Sequence, residues 1–355
     1  ATIQVFVDGS ELPLVVVDGG DGSLDPGDRV LFWGEYRRES DRDTESRFGR
    51  KHSYWLRYGQ EQGKRFTVTN GAPTAATPAA WVMQTVHTEK DSVYERLGEA
   101  ADVERDHWFD RRTASPSSAG GQEFPVTTPI PLPGLVATPD VDATIRVGMH
   151  GISLRDELDP DHRTRVEIGD GIPVTEDRWD GQSAFIGEGS LGANLLTDTL
   201  SVSLRTPGSP EYPLDPVPYV DHVRLNWITV TYPQAPAARS GRLLFTSEAT
   251  SDYTVNGFAA RPNLVLDIDN DRLIMGGEIV QDADAFTVSF ASQAGRILVA
   301  DSTAYVTPAL GQTDLASSLR TNLAGASYLI VTDPLFATQA ERLAEHRRSL
   351  GLTSL

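Results

Sequence analysis

Val220-Asp221-His222-Val223-Arg224-Leu225-Asn226-Trp227-Ile228-Thr229-Val230-Thr231-Tyr232 decides the fold class. It places Val223, Leu225 and Trp227 on alternate positions. A period of two puts these side chains on one face of a strand, with His222 and the other intervening residues on the opposite, surface face. The pattern recurs. Thr144–Met149 carries Ile145, Val147 and Met149 on one face, and Leu200, Val202 and Leu204 repeat it. Leu243–Phe245, Tyr253–Val255, Leu264–Ile268, Phe286–Phe290 and Ile297–Val299 follow. Eight or more short strands with turn-rich joints predict a two-sheet, jelly-roll-like β-sandwich over residues 122–306. No sequence repeat is visible.

Upstream, residues 1–121 form a further β-rich region. Thr2–Val7, Leu12–Val17, Arg29–Gly34, Tyr54–Tyr58, Arg65–Thr69 and Ala80–His87 read as strands between turn clusters such as Asp18-Gly19-Gly20-Asp21-Gly22. Asp41–Lys51 is a charged loop. Asp91–Arg112 is expected to hold a short helix and then a loop. Thr113–Gly121 is the most linker-like segment.

Downstream, residues 307–355 change character. Asp314 can cap a helix carrying Leu315, Leu319 and Leu323. Ser327–Thr332 is a nearly continuous apolar run, the pattern of a strand buried on both faces. Asp333 then stands as N-cap and Pro334 as first helical residue. Phe336, Ala340, Leu343, Ala344 and Arg347 keep helical spacing, His346, Arg347 and Arg348 favour the C-terminal end, and Gly351 stops the helix. One strand and one helix are the start of an α/β unit. The expectation is a truncated domain whose strand meets no parallel partner before Leu355. The fold class is therefore mainly β: an N-terminal β-rich region, a jelly-roll-like sandwich, and the first helix, strand and helix of an α/β domain.

Composition narrows the partners. The 355 residues carry a net charge of −19, and of 31 basic residues only Lys51, Lys64 and Lys90 are lysines. That charge repels nucleic-acid phosphates, so nucleic acid is not an expected partner. The Asp-rich, Lys-poor balance suits a salt-adapted source and equally a GC-rich genome. No run is apolar over transmembrane length. The chain has no Cys, which removes disulfides, thiolate metal sites and a Cys nucleophile from these residues. Ala1-Thr2-Ile3 lacks an initiating Met and reads as mature or excised sequence.

Several segments carry potential chemistry. Asp267, Asp269, Asp271 and Glu278 fall at positions 1, 3, 5 and 12 of a calcium-loop template, and hard oxygen ligands at that spacing suit calcium. Arg272 stands where that template needs Gly, and the flanks read as strands, so an acidic β-turn accounts for the same residues. Asp18, Asp21, Asp25 and Asp28 form a second acidic turn. Gly187-Glu188-Gly189-Ser190-Leu191-Gly192 matches G-x-G-x-x-G but opens no helix; a tight turn is expected. The seven histidines form no H-E-x-x-H motif or close pair, so a His-built zinc site has no support. Trp179, just before Asp180-Gly181, is the aromatic residue to test for sugar stacking if exposed.

Three segments together resemble the gingipain family of cysteine peptidases, which includes the sortase-like peptidase of the bacterial type IX secretion system. Gly27-Asp28-Arg29-Val30-Leu31-Phe32-Trp33-Gly34, followed by Tyr54-Trp55-Leu56, resembles the start of those proteins. Val220–Tyr232 is similar to a core strand of their β-domain. Ala326-Ser327-Tyr328-Leu329-Ile330-Val331-Thr332-Asp333-Pro334-Leu335-Phe336 looks like the opening of their caspase-like catalytic domain. Trp33 stands where Tyr is usual, and Asn226-Trp227 is not the commonest form, so a divergent or inactive relative also fits. The resemblance implies a secreted or outer-membrane-associated bacterial protein. It implies a peptidase acting on proteins or peptides through a Cys and a His of a catalytic α/β domain C-terminal to this chain. Neither residue can be assigned here. By this expectation the chain is the non-catalytic N-terminal part, with Thr332–Pro334 nearest the active site. The rival is an extracellular adhesion or carbohydrate-binding β-sandwich without enzymatic activity, using Trp179 and calcium at Asp267.

Overall fold

The computed structural model describes residues 2–35, 51–59, 61–96, 106–116, 122–156, 158–208, 220–311 and 325–354. The charged segment 41–50 and the helix expected after Asp314 lie outside them. The chain divides into two units, Ala1–Tyr305 and Val306–Leu355. The architecture is mainly β, as the alternation predicts, with several sheets and, among the described residues, one short C-terminal α-helix.

A ten-stranded sheet is the frame of the first unit. Its order runs Ala184–Gly192, Asp142–Gly151, His222–Gln234, Val82–Glu89, Arg242–Ser247, Gly295–Ala300, Leu264–Asp267, Arg272–Met275 and Thr67–Asn70, with Arg112–Ala114 also on His222–Gln234. All pairings are antiparallel except the last, between Arg272–Met275 and Thr67–Asn70.

Two smaller sheets cover this frame side by side. Over one half lies the sheet Val126–Pro131, Thr199–Arg205, His162–Ile168 and Ile172–Trp179. Ile145, Val147, Val223, Leu225, Ile228 and Val230 meet Ile130, Val166, Ile168, Leu200, Val202 and Leu204 in one buried cluster. Each such side chain contributes about 1.5–3 kcal/mol on burial. Over the other half lie Ser251–Phe258, Ala285–Ser292 and Glu278–Asp282, with Tyr253, Val255, Val288 and Phe290 packed on Phe245, Val265, Ile297 and Val299.

A third layer covers the reverse face of that second half. Leu264, Leu266, Leu298 and Ala300 point away from the sandwich and are met by Phe66, Val15, Leu31 and Trp33 from the N-terminal region. Leu264–Asp267 and the last four residues of Gly295–Ala300 are consequently buried throughout. This is why Leu264-Val265-Leu266 and Ile297-Leu298-Val299-Ala300 are unbroken apolar runs rather than alternating ones.

Two local expectations are corrected, and a third falls partly outside the described residues. Gly187–Gly192 is not a turn. It lies in the strand Ala184–Gly192, fully registered against Asp142–Gly151, and a Cβ on Gly189 would fall 2.3 Å from the Val174 carbonyl oxygen. The described ends of Asp91–Arg112 carry a short antiparallel pair, Val93–Tyr94 with Trp108–Phe109, while 97–105, where the expected helix and loop would fall, lie outside the described residues. Thr113 and Ala114, read as linker, are buried in a strand on His222–Gln234.

In the second unit the helix forms as its sequence predicts. The Asp333 carboxylate accepts from the Leu335 amide at 2.8 Å, Pro334 opens a 3-10 turn, and Ala337–Ser349 is α-helical with His346, Arg347 and Arg348 in its last turn. Gly351 ends it at φ +86°, a conformation glycine adopts without strain. The preceding segment differs from expectation. Ser327–Thr332 is not a strand buried on both faces: Tyr328 and Ile330 are half-buried, while Leu329 and Val331 are 64% and 89% exposed. Nor does it lack a parallel neighbour. The Tyr328 amide donates to the Thr353 carbonyl at 3.0 Å, and Tyr328 and Ser354 form a parallel bridge. The backbone thus returns alongside its own start through one isolated parallel bridge.

Candidate functional site

The four carboxylates of the calcium template do not converge. Leu264–Asp267 and Arg272–Met275 are antiparallel strands joined by a tight turn. Asp267 is buried at its base, and both its oxygens accept from the Asn270 side-chain amide at 3.0 and 2.9 Å. Asp269 takes Arg296, accepting from its backbone N–H at 2.9 Å and its Nε at 2.7 Å. Asp271 accepts from Lys64 Nζ at 2.5 Å. Glu278 is exposed on a strand of a different sheet. Among the described residues no three His, Cys, Asp or Glu side chains are grouped to hold a metal ion.

These acids serve a different purpose. Arg296 extends from Asp269 to Glu35 Oε1 at 2.6 Å, and Glu35 also accepts from Trp33 Nε1 at 2.6 Å. The Asp271 carbonyl accepts from the Thr67 amide at 2.8 Å. Lys64, Thr67 and Glu35 all belong to the N-terminal region, whose Trp33 and Phe66 cover the sheet behind. The acidic turn is therefore a docking ridge for that region.

Trp179 is not an exposed sugar platform. It is buried, with its ring stacked between His162 (centroids 4.2 Å, interplanar 29°) and Phe185 (5.0 Å, 3°). Its Nε1 donates to Thr164 Oγ1 at 3.1 Å.

His162 is the centre of a buried polar cluster that no histidine motif in the sequence marks. Its imidazole is fully buried. Nδ1 lies 2.6 Å from Asp221 Oδ1, and Nε2 lies 3.2 Å from the Gly181 carbonyl oxygen and 3.6 Å from Asp161 Oδ1. The second Asp221 oxygen accepts from the Arg163 amide at 3.0 Å, and Asp161 accepts from the amides of Gly181 and Arg155, both at 2.9 Å. Burial alone pulls the His162 pKa down. The hydrogen bond and charge of Asp221, with Asp161 and the Gly181 carbonyl behind them, outweigh burial and raise it. A sealed imidazole with both nitrogens engaged does not act as a general base, so this is a structural cluster. No spacing in the sequence links Asp161-His162 to Asp221, which sheet topology brings beside it.

The outer face of the four-stranded sheet carries a ladder of alternating charge. Arg163 and Arg165 share Glu176 at 2.7 and 2.8 Å, Arg165 and Arg205 share Glu167 at 3.5 and 3.2 Å, and Arg205 pairs with Glu123 at 2.9 Å. This face is solvated and internally balanced.

The C-terminal unit is the remaining candidate. Besides Leu329 and Val331, it leaves Leu335 and Phe336 exposed, and Leu350 at the helix end. Ala344 is the only hydrophobic residue it buries among those described, and the Arg347 guanidinium lies 4.9 Å over the Tyr328 ring. Unpaired extended backbone with apolar side chains facing water is a surface for adding a strand and covering it.

No protein-family model matches the chain, and no curated protein matches it. Among solved structures it is similar to the crystal structure of dimeric latent PorU from Porphyromonas gingivalis, with a TM-score of 0.60 and 12% sequence identity. The match covers 100% of this chain and 34% of that one, so the chain spans about a third of its length. At this identity the likeness is one of fold.

Proposed function

We propose that this chain is the non-catalytic, β-rich portion of a gingipain-like or sortase-like cysteine peptidase, exported to the bacterial cell exterior, and that its last fifty residues open the catalytic α/β domain. The observation that carries this reading is the parallel pairing of Tyr328 with Ser354 across the helix Ala337–Ser349, because a parallel step with a helical crossover is the unit from which α/β sheets grow. The fold-level likeness to PorU supports it, as does the order of the three resembling segments. Among the described residues no helix is long and apolar enough to cross a membrane, which agrees with an exported protein.

The parent would cleave or transfer peptide bonds by thiolate attack, with a His as acid and base and backbone amides stabilising the oxyanion. This chain has no Cys, so the nucleophile belongs to the partner domain. The role of these residues is to present Thr332–Pro334 at the carboxyl end of the first strand, where ligands of open α/β sheets gather. The adhesive alternative loses its main support, since Trp179 is buried.

The test is to sequence the gene beyond the codon for Leu355 and express the extended chain. A His and a Cys at the ends of further strands, with labelling of that Cys by a thiol-directed peptide probe, is the expected result. Downstream sequence without them overturns the reading, and glycan-array binding by residues 1–355 would favour the adhesive alternative.

A further inference from the structure

The His162 cluster ties together chain segments that are far apart in sequence. Asp161 and His162 open one strand, Trp179 and Gly181 end the next, and Asp221 precedes the strand His222–Gln234. The Asp221 amide donates to Ser115 Oγ at 2.8 Å, and the Asp161 amide donates to Asp180 Oδ1 at 3.3 Å. Arg163, whose amide serves Asp221, donates from Nη1 to the Gly208 carbonyl at 2.9 Å.

We infer that His162 is a protonation-dependent latch: as an imidazolium it locks this end of the sandwich, and loss of its proton releases the segments it joins. With Asp221 as a carboxylate, the geometry favours the cation. A carboxylate oxygen at 2.6 Å and a carbonyl oxygen at 3.2 Å are both acceptors, so each ring nitrogen must carry hydrogen. A neutral tautomer would press one lone pair against an acceptor in a site without water access, at the cost of a buried unsatisfied group. Among the described residues, the two groups within hydrogen-bonding distance of the ring nitrogens are the Asp221 carboxylate and the Gly181 carbonyl. The strand Asp142–Gly151 meets the ring with Gly151, where a Cβ would lie 2.3 Å from Nε2. The carboxylates facing the ring are Asp221 and Asp161, with Asp180 behind Asp161. The nearest cationic group, Arg163, is turned to Glu176 and Gly208.

The direction of the pH response follows. The folded pKa of His162 is raised, so its stabilisation is complete below the unfolded value of about 6.5 and is lost as pH rises through the folded value. Within that window the unfolding constant grows by up to about tenfold per pH unit. His222 does not confuse the result, because burial and then Arg112 lower its pKa. Tyr232 is pushed up to about 12 by burial and titrates later.

Two measurements on the 355-residue chain decide the matter. Nitrogen-15 spectra of the wild type should show His162 protonated at both nitrogens at about pH 6, below the ordinary imidazole value, and deprotonating only at a pH above that value. Amide exchange at Arg155, Arg163 and Gly181 should then rise together, beyond the intrinsic base-catalysed increase, as that signal titrates. A neutral tautomer at about pH 6 overturns the proposal. His162→Gln should remove the alkaline loss of stability between neutral pH and the onset of tyrosine titration; an unchanged pH profile would also overturn it. If His162→Gln does not fold, the wild-type spectra and exchange still decide.

Discussion

Tyr328 and Ser354 lie side by side in parallel, joined through the Tyr328 amide and the Thr353 carbonyl at 3.0 Å. Ser327 reinforces the contact: its Oγ accepts from the Thr353 amide at 2.9 Å and lies 3.0 Å from Thr353 Oγ1. Beyond this point the pairing stops, and Val331 is 89% exposed. Amide exchange should therefore be slower at Tyr328 than at Val331. Ser327→Ala removes one hydrogen-bonding hydroxyl, about 1 kcal/mol, and should speed exchange at Tyr328 roughly fivefold while leaving Val331 unchanged. Equal, fast exchange at both positions in the wild type would remove the bridge and its bearing on the α/β reading.

Lys64 to Asp271 and Arg296 to Glu35 hold the N-terminal region against the acidic turn. Both pairs are substantially solvent-exposed, so each is worth about 0.2–1 kcal/mol and weakens with salt. Lys64→Ala and Arg296→Ala should each lower stability by that order at low ionic strength, and the difference from wild type should shrink in high salt. Because Asp269 and Asp271 already have basic partners, calcium should leave the melting temperature unchanged. A clear calcium-induced rise would mean that the turn rearranges to bind the ion and would revive Asp267, Asp269, Asp271 and Glu278 as ligands.

Much of this was legible in the residues. Strict alternation, as in Leu200, Val202 and Leu204, marks strands whose two faces see different surroundings, and these were found. Trp227 breaks the expected pattern: a register shift beside it leaves Val223, Leu225, Ile228 and Val230 in the sandwich core and turns Trp227 to the other face, against His87 and Arg146. Strands buried on both faces lose that contrast. Leu264-Val265-Leu266 and Ile297-Leu298-Val299-Ala300 announce a third layer only as continuous apolar runs, which a short buried helix also produces. The same pattern misled at Ser327–Thr332, where the described structure leaves alternate residues exposed. The His162 cluster was illegible for another reason. Its members stand at positions 161, 162, 181 and 221, and no spacing rule links residues brought together by sheet topology. Trp179 failed because a turn next to an aromatic residue says nothing of which face the ring takes.

The charge ladder responds to acid in the opposite sense to His162. Hydrogen bonding to Arg163, and secondarily to Arg165, overcomes the opposing effect of burial and lowers the Glu176 pKa. A depressed carboxylate contributes stability above its unfolded pKa and loses it as pH falls through the folded value. Glu176→Gln should cost about 0.2–1 kcal/mol at neutral pH, because the pairs are partly exposed and screened. The variant and wild type should converge in stability at low pH. A deficit that persists undiminished once Glu176 is protonated would show that the residue acts by packing instead of charge.

Trp179 fills a sealed slot between His162 and Phe185, so its removal tests packing and sugar recognition at once. Trp179→Ala deletes a stacked, hydrogen-bonded indole and should destabilise the first unit by about 3–5 kcal/mol, seen as a lower denaturant midpoint. Trp179→Phe keeps a ring against Phe185 but loses the Nε1 hydrogen bond to Thr164, and should cost less. In the folded wild-type chain the indole is shielded, so adding soluble sugars should leave its fluorescence unchanged. Quenching of Trp179 by an oligosaccharide, tracked by its loss in Trp179→Phe, would require the slot to open and would return the adhesive reading to contention.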